Sequence, residues 1–284
     1  MITVSALCGE ILRWSPGSPG DTGVESSDMI WARPYGKRPG DLNIDFSEPR
    51  RPFLISRLLL ACLEQADGRS YPEDGFCDWT LRRRLQGLLA IVVATKGRQL
   101  RVQAPCEHSS CGELIELNLD LVEFCDVKRP DTFFCEPVAK TKVQIRLPSG
   151  ADQIRWLDAN DRGRGCSFAE MATALITEVN GRAPDGGWRV PGEWLEDLGR
   201  TLEEHDPLMT LRLDTCCPVC HGEMQIEFDL EHHLLTVLAA EQQYLLGQIH
   251  RLASSYHWPE AEILALSSQR RAYYIARIDG EASG

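Results

Sequence analysis

The sequence lacks any apolar run near the roughly 18 residues that a membrane-spanning helix needs, so we expect no membrane insertion. It is also poor in basic residues, since 30 Lys and Arg stand against 42 Asp and Glu, giving a formal net charge of −12. Binding to DNA or RNA requires clustered positive charge that neutralises phosphates. The charge balance therefore argues against a nucleic-acid ligand and favours protein partners.

Familiar signals of export and catalysis are absent as well. The first residues, MITVSALCGEIL, lack the basic segment and the long apolar stretch of a secretory signal, so we expect a cytoplasmic protein. The sequence contains no Walker loop, nucleophile elbow or dinucleotide-binding fingerprint. The basic run Arg82–Arg84 is expected on a solvated surface in so acidic a chain.

Cysteine is the residue type that the chain has in excess. An odd number, 11, in a long chain expected in a reducing compartment argues against a disulfide framework. Most of these thiols are expected to be small buried apolar residues. Two clusters differ from the other cysteines, because they share one sequence pattern. The first is CEHSSCGELIELNLDL from Cys106, and the second is CPVCHGEMQIEFDL from Cys217. Each has a cysteine pair, a glycine, a glutamate and an alternating strand that ends in Asp-Leu.

This repeated pattern is typical of two zinc knuckles. Two cysteines separated by two to four residues in a tight turn can both reach one ion at about 2.3 Å. The glycine after the second cysteine allows the backbone to take positive φ and leave the turn. The sequence therefore predicts one structural Zn²⁺ bound by Cys106, Cys111, Cys217 and Cys220. Three neighbours are close enough to replace a ligand, namely His108, Cys216 and His221.

The predicted fold is α+β. Alternating apolar residues on both sides of each cysteine pair predict two β-hairpins, which would form a split zinc ribbon with flanking helices and a helical C-terminal segment. We expect a variable, partly irregular N-terminal region at 1–75, a zinc-ribbon body at 76–230 and a C-terminal helical segment at 231–284. The helices predicted before that segment are Phe53–Gln65, Asp78–Ala94, one from a Ser167–Glu170 capping box through Val179, and Glu193–Glu204. Within the segment, Trp258-Pro259 predicts a break between one helix and the next.

The C-terminal third resembles a known family. The order is the CPVC turn, the strand end FDL, and then IHRLASSYHWPEAEILALSSQRRAYYIARI. This order is similar to that of the baseplate or baseplate-assembly proteins of T-even-type contractile phage tails and related contractile injection systems. The upstream segments LLAIVVATKGRQLRVQAPC and VQIRLPSGADQIRWL also agree, so the resemblance covers residues 78–278. The chain departs from the family at CEHSSC, where a CPxC-like turn is usual, and at His221, which separates Cys220 from Gly222.

The resemblance implies a structural or assembly role in such a baseplate, with baseplate components as partners and no catalysis. Such a protein works in the cytoplasm or within the assembled particle. Four thiolates also leave no open position on a zinc ion, which is a second reason to expect no enzyme. The alternative is a zinc-ribbon nucleic-acid-binding or regulatory protein, which the acidic charge disfavours.

Aromatic and arginine residues near the C-terminus are of the kind enriched at protein interfaces. The predicted partner-binding set is Tyr256, Trp258, Arg270, Arg271, Tyr273 and Tyr274. The alternative for Tyr256 and Trp258 is that they only pack the last helices together.

Overall fold

A computed structural model of the chain describes residues 12–14, 30–65, 68–108, 110–125, 130–138, 141–209 and 211–281. Over these residues the protein contains nine α-helices and ten strands, and the strands form four small antiparallel sheets. The predicted α+β class is confirmed. No helix within these ranges combines the length and the apolar character needed to cross a bilayer.

A three-stranded sheet and two helices form the N-terminal part. The strands are β1 (Leu12–Trp14), β2 (Ile30–Ala32) and β3 (Leu63–Gln65), and the helices are α1 (Arg51–Cys62) and α2 (Leu81–Lys96). Helix α1 ends earlier than predicted, because residues from Leu63 onward pair with β2. Helix α2 begins after Thr80, whose hydroxyl accepts a hydrogen bond from the Arg83 backbone N–H.

The segment before α1 is tied to the rest of the fold by side-chain hydrogen bonds. A 3-10 helix spans Pro39–Asn43, and within it the buried Asp41 accepts two hydrogen bonds from Arg33, at 2.6 and 2.7 Å. From α7 (Leu230–Tyr256), the Gln242 side-chain amide donates to the carbonyl oxygens of Ile44 and Leu42. Hydrogen bonds of Asp41 and Gln242 thus hold this segment in place, and the predicted region at 1–75 stays a prediction, since residues 1–11, 15–29, 66 and 67 lie outside the described residues.

Two β-hairpins carry the cysteine clusters. The first consists of β4 (Gln99–Pro105) and β5 (Leu114–Asp120), and the second of β9 (Leu211–Cys216) and β10 (Glu223–Phe228). Both are antiparallel, and in both the last paired residues immediately flank the cysteine turn: Pro105 with Leu114 and Cys216 with Glu223. The predicted hairpins are confirmed. A short helix, α3 (Leu121–Cys125), follows the first hairpin.

A second three-stranded sheet with three helices lies between the hairpins in sequence. Its elements are β6 (Thr132–Val138), β7 (Thr141–Arg146), α4 (Gly150–Asp161), α5 (Phe168–Leu175), β8 (Ile176–Val179) and α6 (Leu195–His205). The Ser167–Glu170 capping box is confirmed. The predicted continuation of that helix through Val179 is wrong, because residues 176–179 form β8 and pair with β7.

The C-terminal part consists of three helices. Helix α7 is followed by α8 (Glu260–Ala265) and α9 (Ser268–Glu281). The predicted break at Trp258-Pro259 is confirmed: α7 ends at Tyr256, and His257 adopts a left-handed conformation with φ of 56°.

The main apolar core does not follow the three predicted regions. Leu54 on α1, Leu88 on α2 and Leu238 on α7 belong to one buried cluster, although they come from different predicted regions. Residues near the open ends of both hairpins, including Leu100 and Phe228, join the same cluster. The hairpins are therefore anchored in the helical core at their open ends, whereas the cysteine turns lie at the opposite ends.

The basic run in α2 is not solvated as predicted. Arg82 and Arg84 are buried, with exposed fractions of only 2% and 1%. The Arg84 guanidinium donates to the backbone carbonyls of Phe76 and Pro52, each at 2.6 Å. The Arg82 guanidinium donates to an Asp131 carboxylate at 2.5 Å. Carbonyl and carboxylate oxygens thus compensate for the lost hydration of these charges.

Candidate metal centre

The first cysteine turn, residues 106–112, is called the first knuckle. The Cys106 N–H donates to the Glu113 carbonyl at 2.7 Å and extends the hairpin by one bond. Within the turn, the Cys111 N–H donates to the His108 carbonyl at 2.8 Å. Gly112 takes φ of 62°, so the predicted use of positive φ after the second cysteine is confirmed here.

The second knuckle, residues 217–222, repeats this arrangement with one difference. The Cys217 N–H donates to the Gly222 carbonyl at 3.0 Å, and the His221 N–H donates to the Cys217 carbonyl at 2.9 Å. Positive φ falls on His221, at 58°, and not on Gly222 as predicted. In both knuckles the residue with positive φ is thus the one directly after the second cysteine.

The four predicted cysteines converge at the facing ends of the two hairpins. All four Sγ atoms of Cys106, Cys111, Cys217 and Cys220 lie within 4.8 Å of one another. The Sγ atoms of Cys106 and Cys220 are 3.7 Å apart, and those of Cys111 and Cys217 are 3.8 Å apart. Four sulfurs placed tetrahedrally at 2.3 Å from one ion would be about 3.8 Å apart. The two Sγ–Sγ distances therefore agree with those of a tetrahedral site that has four thiolate ligands. We call these side chains the four-thiol cluster.

An apolar layer packs against the four-thiol cluster. Cys106 and Cys217 are buried, and both pack with Ile115 of the first hairpin and Met224 of the second. Cys111 is half-buried, and Cys220 is exposed. The layer aligns the hairpin ends, and one side of the cluster remains open to solvent.

Backbone hydrogen bonds make the four thiols electrostatically unequal. The N–H groups of Cys220 and Val219 donate to the Cys217 sulfur and lower the pKa of its thiol to about 7. The His108 N–H acts to lower the pKa of Cys106, but burial and hydrogen bonds with the other three thiols outweigh it and raise that pKa to about 12. Cys217 therefore ionises more readily than Cys106.

The three alternative ligands lie outside the cluster. His108 Nδ1 is 3.6 Å from the Cys106 sulfur, but His108 does not join the group of four within the part of the chain that the structure describes. Cys216 is exposed at the end of β9, and His221 is exposed at the turn position with positive φ. Among the described residues, the four cysteines are the only group of potential metal ligands of this kind.

The predicted partner-binding residues divide into three groups: packed aromatic residues, exposed residues and the buried Arg271. Tyr256 and Trp258 stack at 4.8 Å between ring centroids, and Tyr274 meets both rings edge-on, so these three pack the C-terminal helices together. Arg270 and Tyr273 are exposed on α9, with 61% of Tyr273 accessible.

Arg271 is not available to a partner, contrary to the prediction. It is 4% exposed, and its guanidinium donates to the Gln248 side-chain oxygen at 2.9 Å and the Leu266 carbonyl at 2.7 Å. Its role is to join α9 to α7 and to the end of α8. Sequence analysis missed this role because adjacent arginines on a helix point to different sides, and only the packing decides which is buried.

Sequence analysis also missed a contact between the knuckles. The His108 ring lies against Gly222, where a Cβ atom would come within 2.4 to 2.8 Å of three ring atoms. These residues are far apart in sequence, and neither forms a motif with the other, so no sequence signal predicted the contact.

No protein-family model, curated protein or solved structure matches the chain.

Proposed function

We propose that the four-thiol cluster binds one structural Zn²⁺ and that the two hairpins together form a split zinc ribbon. The observation that carries this proposal is the pair of cross-hairpin Sγ distances, 3.7 and 3.8 Å, which suit tetrahedral thiolate coordination. Tetrahedral sulfur sites in proteins hold zinc or iron–sulfur centres. A single ion at the centre of four thiolates is the simpler occupant of so compact a cluster.

The zinc would link two parts of the chain that are far apart in sequence. Cys111 and Cys217 are separated by 106 positions, and closing a loop of that length costs about 4 kcal/mol. Structural zinc contributes roughly 10–16 kcal/mol in small peptides, which exceeds that cost. Because four thiolates fill the coordination shell, we assign the metal a structural and not a catalytic role.

Elemental analysis tests the metal assignment directly. Protein purified without chelators should contain about one zinc per chain and no stoichiometric iron. Iron with acid-labile sulfide would point to a cluster and overturn the assignment to zinc. The absence of any stoichiometric metal, after reconstitution under reducing conditions, would overturn the metal site itself.

We further propose that the protein is a structural or assembly component of the baseplate of a contractile injection system. The support is the C-terminal motif order, which begins at the second knuckle and continues through α7, α8 and α9. The favoured partner contacts are Arg270 and Tyr273 on α9, because both are exposed and belong to residue types enriched at protein interfaces.

Gene deletion with complementation tests this wider role. Deletion should leave sheath and tube subunits expressed but prevent complete particles, and the wild-type gene should restore them. A gene carrying Arg270→Ala and Tyr273→Ala should encode a folded protein that restores few particles. The matched control is Arg277→Ala, another exposed arginine of α9. Normal particles from the deletion strain would contradict the proposed role, and full rescue by the double variant would contradict only the contact site.

A further inference from the structure

His108 occupies an unusual position between the two knuckles. It belongs to the first knuckle, but its ring lies over Gly222 of the second, and a Cβ atom there would be 2.4 Å from Cε1, 2.7 Å from Nε2 and 2.8 Å from Nδ1. These are the three atoms nearest to such a Cβ, so the His108 ring is the main obstacle to any side chain at residue 222. Residue 222 therefore leaves space for the His108 ring because glycine has no side chain.

The same ring also contacts the four-thiol cluster. Nδ1 lies 3.6 Å from the Cys106 sulfur, within hydrogen-bonding distance for sulfur. A thiolate bound to a metal has no proton to donate. In the metal-loaded site, a hydrogen bond between these two atoms therefore runs from the Nδ1–H of His108 to the Cys106 thiolate. A group that donates to a ligand in this way fixes its orientation and tunes its bond to the metal.

We infer that His108 is a positioning residue that clamps the first knuckle onto the second and slows the release of the metal. This inference rests on the proposed metal site. The ring performs both tasks at once, because its contact with Gly222 holds it where Nδ1 reaches the Cys106 sulfur. Movement of the ring away from Gly222 would therefore also break the hydrogen bond to the ligand.

The test measures metal release and the spectrum of the cobalt-loaded protein. Release of zinc to an excess of chelator should be about tenfold faster in His108→Ala, the lower end of the effect usual for partners of metal ligands. Gly222→Ala should accelerate release similarly, because its methyl group displaces the ring. Glu107→Ala, a change at an exposed neighbour in the same knuckle, should release zinc at the wild-type rate.

The double variant separates a clamp from two unrelated structural effects. Without the ring there is room for the methyl group, so adding Gly222→Ala to His108→Ala should change the release rate by less than twofold. If Gly222→Ala instead accelerates release by the same factor in both backgrounds, its effect does not act through His108, and the inference is wrong.

The cobalt spectrum reports the hydrogen bond itself. A hydrogen bond lowers the energy of the sulfur lone pairs, so His108→Ala should shift the thiolate-to-cobalt charge-transfer band to longer wavelength. His108→Asn, which retains an N–H near the position of Nδ1, should restore the band. A wild-type band intensity corresponding to three thiolates and one nitrogen would make His108 a ligand and overturn the inference.

Failure of the inference is distinguishable from failure of the metal site. Wild-type protein that binds metal, with release from His108→Ala at the wild-type rate, would refute only the role of His108. Wild-type protein that binds neither zinc nor cobalt would refute both.

Discussion

The cysteines of this chain differ in what their surroundings permit. Cys62 is fully buried in the helical core, and burial raises the pKa of its thiol to about 12, so it behaves as a small apolar residue. Cys217 is equally inaccessible, yet N–H groups of its own turn lower the pKa of its thiol to about 7. Burial alone therefore does not set the pKa of a thiol in this chain, because backbone hydrogen bonds of a turn can outweigh it, as they do at Cys217.

Two neighbouring exposed thiols allow a matched test of the ligand set. Cys220 belongs to the four-thiol cluster, and Cys216 is exposed at the end of β9 but lies outside it. Cys220→Ser should abolish stoichiometric zinc binding, because a serine hydroxyl does not supply a thiolate at neutral pH. Cys216→Ser should retain about one zinc per chain. Elemental analysis of both variants decides the point, and zinc loss in Cys216→Ser alone would mean that the ligand set is wrong.

Local patterns predicted the cysteine cluster, but not the fate of the arginines. Each cysteine pair and its alternating flanks form one short continuous segment, 99–120 or 211–228, so a turn and its two strands can be inferred from spacing. The burial of Arg84 depends on carbonyl groups of Pro52 and Phe76, which are brought to it by the packing of α1 and by the loop before α2. Such a contact has no local signature in the sequence.

At the scale of elements, a buried carboxylate connects α4 to the second three-stranded sheet. The Asp152 side chain is fully buried, accepts two hydrogen bonds from Arg146 on β7, at 2.5 and 2.9 Å, and caps α4 through Ser149. Burial acts to raise the pKa of Asp152, but the hydrogen bonds from Arg146 and Ser149 outweigh it and hold that pKa below its ordinary value. The ionised form is therefore bound more favourably in the folded protein than in the unfolded chain.

Asp152→Asn should consequently lower the free energy of unfolding in a pH-dependent manner. We expect a loss of roughly 2–3 kcal/mol at pH 7, the range for hydrogen bonds to charged groups. A lowered pKa stabilises the fold above the unfolded-state value of about 4, and this contribution is lost as the pH falls through the folded value. The difference between variant and wild type should thus shrink below about pH 4. Urea unfolding at several pH values measures it.

The control for this prediction lies on the same helix. Asp158 forms a partly exposed ion pair with Arg50, and Asp158→Asn should cost less than about 1 kcal/mol. Equal losses in the two variants, or a loss in Asp152→Asn that does not depend on pH, would contradict the role assigned to Asp152.

Elements were predictable where a short signal defines their ends. The Ser167–Glu170 capping box and the break at Pro259 both lie where the sequence analysis expected a helix to begin or end. The ends of α1 and α5 were missed because in both cases an apolar helical pattern runs directly into a strand. Pairing with a distant strand stops each helix, and no residue at the boundary signals it.

At the scale of the whole molecule, each hairpin has two sources of stability. At the open end, apolar residues such as Leu100 and Phe228 pack into the main core with α1, α2 and α7. At the knuckle end, the four-thiol cluster and a small layer that includes Ile115 and Met224 hold the hairpins together. The main core does not include the four cysteines, so its packing does not involve the proposed metal site directly.

Metal removal should therefore loosen the molecule locally before it unfolds globally. In the proposed zinc-bound form, a chelator under reducing conditions should accelerate amide exchange at Cys106 and Cys217, whose N–H groups close the two knuckles. Exchange in α2, which includes the fully buried Leu88 and Leu89, should change little. The thermal unfolding midpoint should fall, because a metal that binds only the folded state stabilises it by mass action. Hydrogen exchange with mass spectrometry on metal-loaded and metal-free protein measures both effects. Exchange that accelerates equally in α2 and in the knuckles would show that the metal supports the entire fold, and unchanged exchange in the knuckles would show that it supports neither hairpin.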